Sequence, residues 1–388
     1  MPRFMRLAIR GALIVVLILS AIAIWKREEL TRLMAVNSLF NAEKIVHNFS
    51  HMDEAFLNTP IPRGSGNVSD LVSGKSIELP SAVNDWIKAR NVTSLIVLKD
   101  GQIAFENYFL GTGADDRRIS WSVAKSFLSA LVGILLADGT IASIDDPVIE
   151  YAPLLKGSAY EAATLRNVLQ MSSGVTFDED YLDKSSDINR MGREIALGGS
   201  LDDFAAGLID SFAKPGTVMQ YVSIDTHVIS MVVRGATGRS VTDLISEKIV
   251  TPLGFEKQPY YITDGEGVAF ALGGLNLTTR DYARFGLMVA QDGHYGGQQV
   301  VPKAWLRAST RVSAKTKPGY RKYGYQWWIP AKGATEGEFF AHGIYGQYIY
   351  INRPLGVVIA SNAADRGFKN EGVGATNIEA MRLIARGL

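Results

Sequence analysis

The sequence contains no cysteine, which excludes disulfide bonds, thiolate nucleophiles and cysteine-ligated metal or iron–sulfur sites. It also has almost no excess of charge: 40 lysines and arginines oppose 39 aspartates and glutamates, a formal net charge of +1. Bulk electrostatics therefore gives no reason to expect a nucleic-acid partner. A G-x-S-x-G elbow, a complete dinucleotide-binding glycine fingerprint and a Walker A loop are missing too, which disfavours an α/β-hydrolase and the nucleotide-binding classes.

The N-terminus does carry a targeting signal. Three arginines within the first ten residues precede the apolar run Gly11–Trp25, and a basic "KRE" follows it. A basic start followed by an apolar run is typical of an export signal or a membrane anchor. A small-x-small cleavage site exists at Ala21–Ala23, but the bulky, basic residues behind it argue against cleavage. We predict residues 1–25 to be a signal anchor or signal peptide, which places the rest of the chain on the periplasmic or extracytoplasmic side; a buried core helix is the disfavoured alternative.

The full chain of 388 residues is 47% hydrophobic and 20% charged, which is typical of a globular protein long enough to bury a sizeable hydrophobic core. We predict an N-terminal stalk or wrap over residues 26–80 and a main domain over residues 81–388. Two apolar runs around Asp100–Gly101 predict a β-hairpin, and two more strands followed by a closing helix are predicted near the C-terminus. Over most of residues 140–270, the apolar residues recur at the spacing of helices. The order indicates an α+β fold: an antiparallel sheet flanked by its terminal helices, with a mostly helical subdomain inserted.

One stretch, "RISWSVAKSFLSALVGILLADG" from Arg118 to Gly139, is typical of a helix and begins with Ser122 and Lys125. Side chains three apart on a helix share a face, and a lysine whose pKa is lowered by burial can accept a serine proton. The alternative is structural: Ser120 or Ser122 caps the helix and Lys125 lies in water.

Two later segments could complete such a site. Tyr221-x-Ser223 opens an apolar helical run, and a tyrosine beside a lysine can relay protons, although a half-buried structural tyrosine is the simpler interpretation. Gly343 and Gly346 lie in or before a strand and permit close approach of a ligand to the backbone. A backbone N–H there, together with that of Ser122, could form an oxyanion hole.

In this order and separation, the three segments resemble the serine β-lactamase and penicillin-binding-protein superfamily, whose motifs are S-x-x-K, Y-x-N or S-D-N, and K-T-G. The chain is most similar to the class C β-lactamase-related branch that includes 6-aminohexanoate-dimer hydrolases and certain esterases. The resemblance covers residues 36–388. The other stretches that carry it are "LRNVLQMSSGVTFDEDY", "SIDDPVIEYAP", "TPLGFE", "GGLNLTTRDYARFG", "YGYQWWIP" and "HGIYGQ".

The resemblance implies a β-lactamase/transpeptidase-like fold and roles for the motif residues. Ser122 matches the acylated serine, Lys125 its partner, and Tyr221 the proton shuttle. Ser223 stands at the asparagine position of the second motif. The glutamate that assists deacylation in class A β-lactamases has no identifiable counterpart.

The third motif falls on Ala341-His342-Gly343, where the family's lysine is absent. This departure weakens the case for binding a β-lactam or a peptide carboxylate. The resemblance implies that Ile344 supplies the second oxyanion N–H and that His342 lines the pocket. The acidic run Asp178–Asp187 is expected to be a solvated loop near the mouth of the site, where it could favour cationic substrates.

We therefore expect a serine hydrolase that cleaves a small amide or ester through an acyl-enzyme on Ser122, without metal or organic cofactor. One alternative is a β-lactamase or D,D-peptidase acting on cell-wall substrates. The other is a non-catalytic, membrane-tethered binding protein of the same fold. The natural substrate and the oligomeric state do not follow from the sequence.

Overall fold

The computed structural model describes residues 3–388, so the first two residues of the predicted N-terminal segment lie outside it. The strands are β1 (Asn58–Pro60), β2 (Val92–Lys99), β3 (Gln102–Tyr108), β4 (Arg118–Ile119), β5 (Tyr260–Ile262), β6 (Leu275–Leu277), β7 (His294–Tyr295), β8 (Gln298–Gln299), β9 (Lys322–Tyr323), β10 (Trp328–Ile329), β11 (Glu338–Gly343), β12 (Gln347–Asn352) and β13 (Val357–Ala363). The helices are α1 (Arg3–Trp25), α2 (Arg27–Ser38), α3 (Ile45–Asn48), α4 (Met52–Ala55), α5 (Ser81–Ala89), α6 (Ala124–Ala137), α7 (Val148–Tyr151), α8 (Leu165–Leu169), α9 (Asp187–Leu197), α10 (Leu201–Ala206), α11 (Ile224–Thr237), α12 (Val241–Ile245), α13 (Thr251–Leu253), α14 (Thr279–Ala290), α15 (Lys303–Ser309) and α16 (Val373–Arg386).

The predicted α+β architecture is confirmed. An antiparallel sheet of order β3-β2-β13-β12-β11-β10-β9 joins the first and last strands of the main domain. The predicted hairpin turns at Asp100 and Gly101, both with positive φ, as a tight turn between twisted strands requires. The mostly helical segment α7–α13 lies between β4 and β5 in the chain, and α16 closes the chain as predicted.

Alternating side chains on the central strands bury both faces of this sheet. On β2, Leu95 and Val97 pack into the cluster that contains Trp86 of α5 and Met381 of α16. Residues between them, such as Ile96, pack into the larger core that holds α6 and α14. The two-residue period of a strand thus places helices on both faces, and the sheet lies between two helical layers.

The stretch predicted as one helix from Arg118 to Gly139 is divided in the structure. Arg118 and Ile119 form β4, a 3₁₀ turn covers Trp121–Val123, and α6 begins only at Ala124. Ser120 precedes the 3₁₀ turn but its side chain makes no capping hydrogen bond, and the residue at the N-cap of α6 is Val123. Nearly every side chain of α6 is buried, so this is a central core helix rather than a surface one.

The N-terminal region has two parts. Helix α1 has a mean hydropathy of 2.6 over an 18-residue window, none of which is buried, and it is long and apolar enough to cross a membrane. The segment after α2 behaves differently, because Leu39, Phe49 and Phe56 join the main core and β1 pairs with β5. Part of the segment predicted as a stalk or wrap is therefore packed into the domain.

Candidate active site

Ser122 lies in a strained turn just before α6. The preceding residue, Trp121, has φ +42, a left-handed conformation that is unfavourable for a bulky side chain and is often found beside functional groups. The end of β11 presses against this turn: a β-carbon added to Gly343 would lie 2.5 Å from Ser120 O and 3.1 Å from Ser122 N. Glycine at position 343 therefore lets the strand approach the backbone of Ser122.

Lys125, in the first turn of α6, is buried with 1% of its surface exposed. Its Nζ donates a hydrogen bond to the carbonyl oxygen of Leu272 at 2.7 Å. Burial lowers the pKa of Lys125 to about 7, although the charges of Glu179 and Asp225 act in the opposite direction. A lysine that is neutral near pH 7 can accept a proton, so the solvated structural alternative does not fit this residue.

Tyr221 joins this pair from the loop before α11. The centroid of its ring lies 5.6 Å from Lys125 Nζ. Burial and the charge of Glu179 raise the pKa of the Tyr221 phenol, while the neighbouring hydroxyls of Ser122 and Ser223 lower it. The ring is fixed by stacking on Trp328, with centroids 5.4 Å apart. Segments far apart in sequence thus bring a hydroxyl, an amine and a phenol together.

Glu179 is a further member of the site that was not predicted from the sequence, because the acidic run around it is typical of a solvated loop. In the structure, the half-buried Glu179 carboxylate accepts hydrogen bonds from the backbone N–H of Ser223 and from the hydroxyl of Tyr181, the latter at 2.8 Å. Burial raises the pKa of Glu179 and the charge of Lys125 lowers it. The available signal was its position at the end of "LRNVLQMSSGVTFDEDY", one of the stretches that carry the resemblance.

Of the third-motif residues, Gly343 lies against the Ser122 turn, Ile344 lines the adjacent cavity, and His342 does neither. Ile344 lines the same cavity as Ser122 and Ser223. His342 stacks on Tyr348, with centroids 4.5 Å apart, and is outside the cavity lining. Side chains alternate along β11, so with Gly343 against Ser122 the histidine faces the other side of the sheet.

An apolar cavity of about 120 Å³ opens beside Ser122. Two helices supply most of one side, α2 with the residues that follow it and α9, and they are joined where Arg32 Nε donates to Ala196 O at 2.8 Å. The apolar lining from these two elements is Val36, Leu39, Phe40, Ile188, Met191 and Ile195. The N-terminal segment is thus part of the site, which the sequence analysis did not anticipate. Within residues 3–388, no cluster of three or more histidine, aspartate or glutamate side chains could hold a metal ion.

Comparison with known proteins identifies the family. The beta-lactamase family model matches residues 83–377. The chain belongs to the beta-lactamase family of hydrolases. A 6-aminohexanoate-dimer hydrolase of Paenarthrobacter ureafaciens is 30% identical over 273 residues, which span 67% of this chain and 69% of that protein.

Solved structures agree with this family at the level of the fold. A Bacillus anthracis protein provisionally named a 6-aminohexanoate-dimer hydrolase superposes with a TM-score of 0.77 at 22% identity, over 90% of this chain and 95% of that one. A D-stereospecific amidohydrolase from a Streptomyces species gives a TM-score of 0.60 at 20% identity, over 77% and 97% of the two chains. At these identities the match shows the fold alone.

Proposed function

We propose that this protein is a serine hydrolase that cleaves an ester or amide through an acyl-enzyme on Ser122. The observation that carries the proposal is the buried Lys125, whose pKa lies near 7 and which adjoins both Tyr221 and the turn that holds Ser122. The names of the relatives, which include an amidohydrolase and a 6-aminohexanoate-dimer hydrolase, support the substrate class.

The pKa directions assign different proton roles to the two partners. Neutral Lys125 is the group able to accept the proton of Ser122, directly or through the Tyr221 hydroxyl. Tyr221 keeps its own proton because its pKa is raised, so it can donate to the departing oxygen or nitrogen and be reprotonated by Lys125. Ser122 Oγ forms a bond to the acyl carbon and gives an oxyanion, and collapse of this adduct breaks the bond to the protonated leaving group. Water then gives a proton to the relay and bonds to the acyl carbon. The bond from the acyl carbon to Ser122 Oγ breaks, the hydroxyl regains its proton, and the acid is released.

The developing oxyanion is placed between two backbone N–H groups, those of Ser122 and Ile344. The contact of Gly343 with Ser120 and Ser122 holds the end of β11 against the nucleophile turn, which fixes the spacing of these donors. Such fixed donors typically contribute about 10²–10³-fold in kcat.

The membrane association of the chain is also a proposal. Helix α1 would serve as a signal or an anchor, with the catalytic domain on the extracytoplasmic side. Since α2 follows α1 directly and lines the cavity, the site would lie close to the membrane surface.

A substrate screen tests the proposed function. Wild-type protein, Ser122→Ala and the control Ser126→Ala are assayed on p-nitrophenyl esters, linear amides, D-amino-acid peptides and nitrocefin. Ser126 lies in the same helix but donates to the carbonyl of Gln326, so its loss should leave hydrolysis largely intact. We expect ester or amide turnover in the wild type and the control and at least a 10³-fold loss in Ser122→Ala.

Each other outcome of the screen favours a different alternative. Turnover of nitrocefin or D-amino-acid peptides alone indicates a β-lactamase or D,D-peptidase. Equal activity in wild type and Ser122→Ala contradicts the role of Ser122 as nucleophile. No activity in either protein contradicts the proposed hydrolase and favours the binding protein.

A further inference from the structure

We propose that the apolar cavity beside Ser122 binds the acyl part of the substrate, and that this part is an apolar group of about four to six carbons. The inference rests on the proposed function, because it specifies the substrate of the same site. It assigns a specificity role to the N-terminal segment around Val36 and Phe40, which lies outside the residues that the family model matches.

The position of the cavity relative to the proton donors decides which half of the substrate it holds. The leaving group must be near Tyr221 and Lys125 to receive its proton. The cavity is lined by Ser122 and Ile344 but by neither of those two residues. A substrate whose carbonyl oxygen points to the backbone of Ser122 and Ile344 therefore extends its acyl chain into the cavity and its leaving group away from it.

The chemistry of the lining selects an apolar chain. Phe40, Met191 and Phe270 are among its side chains, and no charged side chain lines it. Apolar cavities of this kind stay dry and bind apolar groups, and a cavity of roughly 150 Å³ admits benzene. At about 120 Å³, this cavity has room for roughly four to six carbon atoms. A cationic substrate, which the acidic run suggested, would leave its charge unpaired there.

Aromatic packing holds the N-terminal wall in place. The Phe40 ring stacks on Tyr345 with centroids 4.7 Å apart and lies 5.9 Å from the Trp121 ring. Tyr345 follows Ile344 and Trp121 precedes Ser122. The wall is thus packed directly on the two segments that supply the oxyanion donors, so chain binding and carbonyl placement share the same contacts.

Gly192 provides a variant that fills the cavity without disturbing the helix. It lines the cavity from within α9, and a β-carbon added there meets no heavy atom within 4 Å. Gly192→Phe adds bulk to the cavity, and Gly192→Ala is its control because it makes the same backbone change with little volume. Val36→Phe is an independent filling variant on α2, and Met34→Phe, at an exposed position of α2, is its control.

The experiment measures kcat/KM of the full chain in nanodiscs for p-nitrophenyl acetate, butyrate, hexanoate and decanoate. Burial of each methylene is worth up to about fourfold, so we expect butyrate or hexanoate to exceed acetate at least tenfold, with a decline at decanoate. Gly192→Phe or Val36→Phe should lower the hexanoate-to-acetate ratio at least tenfold, and the two controls should keep the wild-type ratio. Ethyl, butyl and hexyl acetate, which vary the alcohol instead, should differ less than threefold.

The failures of the two proposals are distinguishable. Ser122-dependent ester hydrolysis with a flat acyl-chain profile, with a preference that follows the alcohol, or with the same ratio in all four variants overturns the cavity assignment and leaves the hydrolase intact. Absence of any Ser122-dependent hydrolysis overturns the hydrolase and the cavity assignment together.

Discussion

Two kinds of surroundings meet at Ser122: an amine, a phenol and a carboxylate, and a cavity walled mainly by aliphatic and aromatic side chains that excludes Lys125 and Tyr221 from its lining. The polar side comes from α6, the loop before α11 and the loop before α9. Much of the apolar side comes from α2 and α9. The difference fits the proposed division of labour, in which the polar groups move protons and the apolar cavity selects the substrate. A variant that changes the proton-transfer groups should therefore leave the acyl-chain preference unchanged, and a variant in the cavity should leave the pH dependence unchanged.

The largest expected effect follows removal of the amine. Lys125→Met should lower kcat/KM for a good ester about 10²–10⁴-fold, because the proton of Ser122 then has no acceptor. Lys156→Met, at an exposed position, is the control for the loss of one charge. The hexanoate-to-acetate ratio of the residual activity should stay near that of the wild type. Residual activity above one tenth of wild type would show that Lys125 is not the base.

A second variant acts on the boundary between the two sides. In Gly343→Ala the new methyl group lies 2.5 Å from Ser120 O, so the strand end or the nucleophile turn must shift. The φ of −116° suits any residue, so backbone strain is not the cause. We expect kcat to fall about 10²-fold as the oxyanion donors separate, while Gly66→Ala, which meets no neighbour, has no effect. Wild-type kcat in Gly343→Ala would contradict the placement of the oxyanion site.

The third prediction concerns pH. Lys125 acts as a base only when neutral, so kcat/KM should rise as pH increases through about 7 and then level off. The negative charge of Glu179 favours protonated Lys125 and raises its pKa. Glu179→Gln removes the charge and keeps one acceptor oxygen for the Ser223 N–H, while the new amide N–H can donate to the Tyr181 hydroxyl, so the rise should move to lower pH. A rise that stays in place or moves to higher pH would exclude the influence of Glu179 on the base.

The smallest expected effect is on stability. Glycine in the middle of α9 costs about 0.5–1 kcal/mol relative to alanine, and position 192 has room for a methyl group. Gly192→Ala should therefore raise the thermal midpoint slightly in a differential scanning experiment and leave the pH profile unchanged. A lowered midpoint would show that this part of α9 needs glycine for packing.

The sequence was sufficient to predict the first hairpin, the last two strands and the grouping of Lys125 and Tyr221 with Ser122, because each leaves a strong local signal. Asp100–Gly101 between alternating apolar runs predicts a hairpin, and S-x-x-K at the start of an apolar helix places a lysine where burial must alter its pKa. The division of residues 118–137 into strand, turn and helix was not predicted, because the strain at Trp121 depends on the strand packed against it.

The apolar side could not be predicted for a related reason. The apolar residues Val36, Leu39 and Phe40 lie in a region with ordinary helical patterning, and only tertiary packing brings them to α9. Glu179 was misinterpreted because a run of acidic residues is usually solvated. Its contact with Ser223 joins distant parts of the chain, and its contact with Tyr181 depends on the conformation of the loop, so neither follows from the local sequence. Local patterns indicate which residues carry chemistry, whereas the surroundings that select a substrate depend on the complete fold.

The central claim is that Ser122 is a nucleophile activated by its polar neighbours, and covalent labelling tests it most directly. The full chain is treated with a fluorophosphonate at pH 8 and digested, and the peptides are analysed by mass spectrometry. We predict a single adduct on Ser122 that is absent in Ser122→Ala and slowed at least 10²-fold in Lys125→Met. A wild-type protein that gains no adduct at Ser122, or that is labelled equally fast without Lys125, would contradict the account.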